Sequence, residues 1–232
     1  MPFRPTNDLH QRSATRREDI TTRGAQMFGV SVDQFANWRW QMKNQLGSAE
    51  DTGRVLNLSA NEREAFQALK HLFQAGITPY YLALMNLENE FDPVRLQALP
   101  RLDEIHDRIG VADPLQEVGN SPVKEVVHVY PDRVAFCVAQ LCPVYCRYCF
   151  RKRRDEEVGL HFNPKIVDQG IEYIASNPSI RDVLITGGDP LVLSPRRLHA
   201  LAERLGRIPH LQTIRWHSRF PVALPEQVTE TL

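Results

Sequence analysis

Three cysteines, Cys142, Cys146 and Cys149, lie within eight residues in the order CxxxCxxC. A loop of this length can turn its side chains inward, and iron–sulfur clusters are held by cysteine thiolates. A cluster of the 4Fe-4S type that has three thiolate ligands keeps one iron without a protein ligand. The spacing therefore predicts a 4Fe-4S cluster with an open coordination position for a small molecule.

Two other uses of these cysteines stay open. A structural zinc site needs a fourth ligand, which Cys137, His161 or another residue would have to supply. Cys137 lies in an apolar run from Val134 to Ala139, which predicts a buried strand residue. The second alternative is a disulfide, which would suit an oxidising compartment.

The composition is that of a globular protein. The chain has 232 residues, of which 42% are hydrophobic and 24% charged, and its formal net charge is zero. This suits one large unit or two smaller ones. The neutral balance argues against nucleic acid as a partner, although Arg151 to Arg154 form a local basic run. The sequence also shows no apolar run long enough for a membrane span and no secretory signal. With a cluster, we expect a cytoplasmic protein.

The sequence predicts a mobile start followed by a helical domain. Residues 1–24 are polar and rich in arginine, so we expect a flexible basic arm. Residues 25–120 are expected to be helical. The clearest helix covers residues 59–76, with a capping box made by Ser59 and Glu62.

That helix is predicted to end at Gly76. Further helix starts or turns are predicted at Asp92-Pro93 and Asp113-Pro114. This part of the chain shows no evident chemistry of its own.

From residue 121 to 232 the pattern alternates between strand and helix. Strands are predicted at residues 126–130, 133–139, 182–186 and 213–217. Helices are predicted to begin at Asn163-Pro164 and at Ser194-Pro195. Such alternation is typical of parallel βα units.

Polar motifs follow directly after the last three of these strands. They are the cysteine loop, Gly187-Gly188-Asp189 and Ser218-Arg219. Because enzymes with parallel sheets build their sites at the carboxyl ends of the strands, we expect the three motifs to lie together. The glycines would let the backbone approach a ligand closely. A tight turn at the glycines and a salt-bridged loop at Ser218 and Arg219 are the structural alternatives.

The cysteine motif, with Tyr148 before its last cysteine, resembles the cluster motif of radical S-adenosylmethionine (SAM) enzymes. In that superfamily SAM chelates the open iron and is cleaved by an electron to a 5′-deoxyadenosyl radical. The resemblance implies an α/β fold in which a helical N-terminal region precedes the first three βα units of a partial radical SAM (βα)-barrel. It also implies SAM contacts through Tyr148, the segment Thr186-Gly187-Gly188-Asp189, Ser218 and Arg219.

A longer, ordered set of motifs resembles the lysine 2,3-aminomutase family. The set is Asn-Trp-Arg-Trp-Gln at 37–41, Ile-Thr-Pro-Tyr-Tyr-Leu at 77–82, Asp-Pro-Val-Arg at 92–95, Tyr-Pro-Asp-Arg at 130–133, the cysteine loop, Gly-Gly-Asp-Pro-Leu at 187–191 and Ser-Arg-Phe-Pro-Val at 218–222. The family uses SAM together with pyridoxal 5′-phosphate (PLP) to move an amino group from Cα to Cβ of an amino acid.

The resemblance assigns roles to three further residues. Tyr130 and Arg133 match positions near PLP, with Arg133 a ligand of its phosphate or ring. Arg151 matches the arginine that holds the substrate carboxylate, for which a planar, bidentate guanidinium is suited. The implied partners are a small amino acid such as lysine, an electron donor for the cluster and, in the assembled protein, a further copy of the chain.

The resemblance also predicts that the chain is incomplete. We expect it to stop in the helix after the third barrel strand, before the lysine that binds PLP in this family. None of its lysines at 43, 70, 124, 152 or 165 matches that residue. We therefore expect little mutase activity from these residues alone. Two other readings are a mutase that makes β-lysine for a translation elongation factor, and a cluster-binding and SAM-binding remnant without turnover.

Overall fold

The computed structural model describes residues 7–106, 109–152 and 163–229, and for residues 7–15 it describes the backbone only. The first part of the chain is helical, as predicted. Its helices are α1 Asn7–Phe28, α2 Val32–Phe35, α3 Trp38–Lys43, α4 Ala49–Gly53, α5 Ala60–Ala68, α6 Pro79–Ala83, α7 Pro93–Leu96 and α8 Asp103–His106. None of the described helices has the length and apolar character needed to cross a membrane.

Helix α1 occupies most of the segment for which the sequence predicts a flexible arm. Its residue Ala25 is buried in a small core with Phe35 and Tyr80. Gly24 allows this packing, because a Cβ there would lie 2.0 Å from the Phe35 ring. The Arg23 guanidinium also donates a 3.0 Å hydrogen bond to the carbonyl of Met85. The structure thus has a helix from Asn7 where the sequence predicts a flexible arm, and the described contacts hold its carboxyl-terminal end.

Helix α5 begins as predicted and ends early. The Ser59 hydroxyl accepts a hydrogen bond from the Glu62 backbone, and the Glu62 carboxylate accepts one from the Ser59 backbone, so the capping box is confirmed. The helix ends at Ala68 rather than at Gly76. Gly76 serves a close approach instead, since a Cβ there would lie 2.6 Å from the Tyr145 ring.

The second part of the chain builds one four-stranded sheet in the order β1-β2-β3-β4. The strands are β1 Val126–Tyr130, β2 Arg133–Ala139, β3 Asp182–Gly187 and β4 Thr213–Trp216. Strand β1 is antiparallel to β2, whereas β2, β3 and β4 are parallel. The four predicted strands are confirmed, and so is the parallel arrangement of β2, β3 and β4. A barrel built from them stays a prediction.

Helices connect the parallel strands and cover one face of the sheet. They are α9 Pro164–Ala175 between β2 and β3, α10 Pro195–Gly206 between β3 and β4, and the short α11 Phe220–Ala223 after β4. Phe136 of β2, Ile174 of α9 and Leu205 of α10 share one buried core. The helical region and the sheet region also touch, because the Thr78 hydroxyl donates a 2.6 Å hydrogen bond to the Ala223 carbonyl.

Candidate functional site

The cysteine loop leaves the carboxyl end of β2 and rests on the helical region. Val144 pairs with Ile77 in an isolated bridge. The amides of Tyr145 and Arg147 donate 2.9 Å hydrogen bonds to the carbonyls of Gly76 and Gln97, respectively. The Gln45 side chain adds 2.8 Å bonds to the carbonyls of Cys142 and Pro143. Residues distant in sequence therefore fix the backbone that presents the cysteines.

All three loop cysteines carry free thiols, and each is partly buried. Burial raises the pKa of Cys142, and the neighbouring charges of Asp189, Cys146 and Cys149 raise it further. Burial likewise raises the pKa of Cys149. Metal binding displaces such protons, because the ligand is the thiolate. The donor set of three unpaired thiols on one loop fits an iron–sulfur cluster.

The two other named candidates for a fourth ligand are Cys137 and His161. Cys137 is buried in β2, as predicted. His161 lies outside the described residues. Within the described ranges, no group of three or more His, Cys, Asp or Glu side chains is arranged to hold a single metal ion.

The glycines after β3 pack against the start of the cysteine loop. Gly187 has a φ of 122°, and a Cβ there would lie 2.2 Å from the Ala139 carbonyl oxygen. A Cβ on Gly188 would lie 2.5 Å from the carbonyl of Gln140. The Gly188 and Asp189 amides donate to the carbonyls of Ala139 and Leu141. The close approach that the glycines permit is therefore one between two segments of this chain, which brings Asp189 beside the cysteine loop.

Asp189 is the polar centre at the carboxyl ends of β3 and β4. Its carboxylate accepts a 2.7 Å hydrogen bond from the Ser218 hydroxyl and a 2.6 Å bond from the Arg219 amide. Burial raises the pKa of Asp189, although these hydrogen bonds act in the opposite direction. A bound cation would offset this cost of burying the charge.

Arg219 reaches from the end of β4 to the cysteine loop. Its guanidinium donates to the Cys146 sulfur, to the Tyr81 hydroxyl at 2.8 Å and to the Gln97 side-chain oxygen at 3.2 Å. It also lies 5.8 Å from the ring of Tyr148, which is itself exposed. The cysteine loop, Asp189, Ser218, Arg219 and Tyr148 thus form one cluster of side chains, as the order of motifs predicts.

Arg151 lies on the same side of the sheet and is paired with a glutamate. Its Nε and Nη2 both donate to the Glu117 carboxylate, at 3.0 and 2.7 Å. Its Nη1 points to the hydroxyl of the buried Thr186 at 3.4 Å. The sequence gives no sign of Glu117, because a single acidic residue in a turn carries no recognisable pattern.

Tyr130 and Arg133 are not brought to this cluster. They flank the turn between β1 and β2, at the amino end of β2, whereas the cysteines follow its carboxyl end. Tyr130 is exposed, and Arg133 donates two hydrogen bonds, at 2.8 and 3.0 Å, to Asp132. Arg181 also pairs with Asp132. These residues do not share the site with the cysteines, because they lie at the amino end of the strand whose carboxyl end leads to it.

The comparisons with known proteins agree with this geometry. Residues 132–218, which span β2 to the end of β4, match the family model of a 4Fe-4S single cluster domain. The chain is 38% identical to L-lysine 2,3-aminomutase of Fusobacterium nucleatum over 214 residues, which are 92% of the chain and 50% of that protein. It is 38% identical to L-lysine 2,3-aminomutase of Bacillus subtilis over 88% of the chain and 43% of that protein.

A third relative has a different amino acid in its name. The chain is 31% identical to glutamate 2,3-aminomutase of Clostridioides difficile, over 94% of the chain and 53% of that protein. The chain therefore spans about half the length of the curated relatives it matches. The predicted resemblance to the lysine 2,3-aminomutase family is confirmed over about nine-tenths of the chain.

Proposed function

We propose that the chain carries the cluster-binding and SAM-binding part of a radical SAM amino acid 2,3-aminomutase. The observation that carries the proposal is the juxtaposition of three free thiols with a buried carboxylate, Asp189, at the carboxyl ends of parallel strands. The similarity to lysine and glutamate 2,3-aminomutases supports the reaction class.

Each residue of the cluster has a task in this proposal. Cys142, Cys146 and Cys149 hold three irons of a 4Fe-4S cluster, which supplies an electron for cleavage of SAM when both are bound. Asp189 accepts hydrogen bonds from the SAM ammonium group, which would compensate its burial. Ser218 holds the Asp189 carboxylate in position. Tyr148 lies at the exposed rim of the same cluster of side chains.

Arg151 is proposed to bind the carboxylate of the amino acid substrate. Glu117 takes the Nε–Nη2 edge of the guanidinium, so the substrate would meet the Nη1 edge beside Thr186. A planar fork can serve two carboxylates in this way, which a lysine ammonium cannot do with the same geometry.

The two residues that the resemblance assigns to PLP, Tyr130 and Arg133, lie away from the cysteine loop. The charge of Arg133 is paired with Asp132, and both Tyr130 and Arg133 lie at the far end of β2 from the cysteines. Binding of PLP at these two residues stays a prediction. No step of the proposal depends on them.

The test is turnover of labelled amino acids by the native protein that contains this chain. Reduced protein with SAM and PLP is incubated with ¹³C-labelled lysine or glutamate, and the products are identified by NMR. We expect the β-amino acid from one of them. Arg151→Lys should lower kcat/KM about 10- to 100-fold, which corresponds to the loss of a charged hydrogen bond, whereas Arg204→Lys on exposed α10 should not. Protein with an intact cluster that converts neither amino acid would contradict the proposal.

A further inference from the structure

The Arg219 guanidinium joins the helical region to the cysteine loop. Two of its acceptors, Tyr81 in α6 and Gln97 just after α7, belong to the helical region. The third acceptor is the sulfur of Cys146. The backbone amide of Arg219, in turn, donates to the Asp189 carboxylate. Arg219 is thus fixed from both sides, and one N–H group is directed at a cluster ligand.

The partners of this side chain leave its charge uncompensated by a carboxylate. In the described part of the chain, its side-chain acceptors are a hydroxyl, an amide oxygen and a sulfur. The aromatic rings of Tyr81 and Tyr148 lie 5.2 and 5.8 Å from the guanidinium carbon. Arg95, Arg147 and Arg151, in contrast, each donate to a glutamate. The positive charge of Arg219 is therefore available to a thiolate.

We propose that Arg219 tunes the reduction potential of the cluster through its hydrogen bond to the Cys146 sulfur. Hydrogen bonds to cluster sulfurs and nearby charge set the potentials of iron–sulfur clusters. Reduction adds a negative charge, which a guanidinium beside the sulfur stabilises. Arg219 therefore raises the potential and makes the cluster easier to reduce. The inference rests on the cluster assigned under the proposed function, and it gives Arg219 a role that does not require SAM.

Tyr81 and Gln97 act as positioning residues for Arg219. Both accept from its Nη2, so they orient the other nitrogen toward the sulfur. Gln97 also accepts the Arg147 amide through its carbonyl, so one residue orients both Arg219 and the cysteine loop. The helical region, which shows no chemistry of its own in the sequence, is thereby connected to the redox centre.

The experiment is a redox titration of the reconstituted protein, followed by EPR in the absence of SAM. Arg219→Gln removes the charge, and Arg219→Lys keeps the charge but loses the planar guanidinium with its several N–H donors. Arg204→Gln is the matched control, because Arg204 pairs with Asp168 on the exposed helices. Iron and sulfide contents are measured for every variant, so that only loaded protein is compared.

We expect the potential to shift downward in Arg219→Gln, less so in Arg219→Lys, and not at all in Arg204→Gln. Tyr81→Phe should give a small downward shift of the potential, since the guanidinium loses one hydrogen-bond acceptor and keeps its charge. If Arg219→Gln binds no cluster, Tyr81→Phe and Arg219→Lys still test the inference. Equal potentials in all loaded variants would overturn the inference. If the potentials are equal and only the response to SAM is lost, Arg219 is a SAM ligand and does not tune the cluster. A wild-type protein that assembles no cluster would instead contradict the proposed function.

Discussion

Two buried arginine–glutamate pairs, one within the helical region and one beside the cysteine loop, differ in how far the protein encloses the arginine. In the helical region, Arg95 is 2% exposed and Glu62 1% exposed. Arg95 donates twice to Glu62 and also to the carbonyls of Leu87 and Asn57. The protein thus surrounds this pair on every edge, and the pair fixes the helices that support the cysteine loop.

The pair at the site is less closed. Arg151 is 12% exposed and Glu117 is 3% exposed, and within the described residues the Nη1 edge of the arginine has only a long contact to Thr186. A pair whose arginine keeps one edge without a strong acceptor can bind a ligand, whereas a pair enclosed by backbone carbonyls can only stabilise. The difference lies in the partners of the second edge and not in the ion pair itself.

The largest effect is expected when the closed pair is broken. Arg95→Ala leaves Glu62 charged and buried, which should cost about 3–5 kcal/mol of the free energy of unfolding. The measurement is urea denaturation. Arg54→Ala removes an exposed pair with Glu50 and should change stability by less than about 1 kcal/mol. Similar losses in both variants would show that the buried pair is not special.

The next largest effect is expected at Gly188, which packs against the start of the cysteine loop. In Gly188→Ala the new Cβ would collide with the Gln140 carbonyl, so we expect a loss of about 1–3 kcal/mol and a weaker cluster occupancy. Gly206→Ala is the matched control, because a Cβ there has no neighbour within 4 Å at the end of α10. That variant should be stabilised by about 0.5–1 kcal/mol. The measurements are the thermal unfolding and the iron content of both variants. A full cluster content and unchanged stability in Gly188→Ala would refute the packing argument.

Changing each glutamate to glutamine tests how much each of the two pairs contributes to stability. Glu117→Gln keeps one acceptor for Arg151 and should cost about 1 kcal/mol. Glu62→Gln should cost more, because Glu62 also caps the Ser59 amide and lies deeper. Urea denaturation of both variants gives the two losses. A larger loss of stability in Glu117→Gln than in Glu62→Gln would show that the Arg151–Glu117 pair serves stability, as the Arg95–Glu62 pair does.

The smallest effect is a dependence on pH near the cysteine loop. Burial alone would raise the pKa of Glu104, but the hydrogen bonds and charges of Arg147 and Lys152 outweigh it and lower the pKa below 4.5. A carboxyl whose pKa is lower in the folded state adds stability above its unfolded pKa and loses it as the pH falls through the folded value. Melting temperatures measured from pH 6 downward should therefore fall less steeply in Glu104→Gln than in wild type. Parallel curves would contradict this.

Local patterns predicted much of the fold. The capping box at Ser59, the Asn163 cap with Pro164 and the strands around Cys137 are confirmed, because each depends on neighbouring residues. The order of motifs also predicted that Asp189 and Arg219 lie beside the cysteines, since parallel strands end at one edge.

Contacts between distant residues could not be predicted in this way. Gln45 bonds to the Cys142 carbonyl across 97 residues, and Glu117 pairs with Arg151 across 34. Helix α1 was missed for the same reason, because its arginine-rich sequence hides the residues that pack against α6. Residues that act only through tertiary contacts leave no periodic signal in the sequence.

We propose that the cysteine loop holds a cluster with one open iron. The most direct measurement is anaerobic reconstitution with iron and sulfide, followed by EPR of the reduced protein with and without SAM. We expect about four irons per chain, a spectrum that changes when SAM is added, and loss of the cluster in Cys146→Ser but not in Cys137→Ser. Folded, soluble protein that assembles no cluster, or a cluster whose spectrum SAM leaves unchanged, would contradict it.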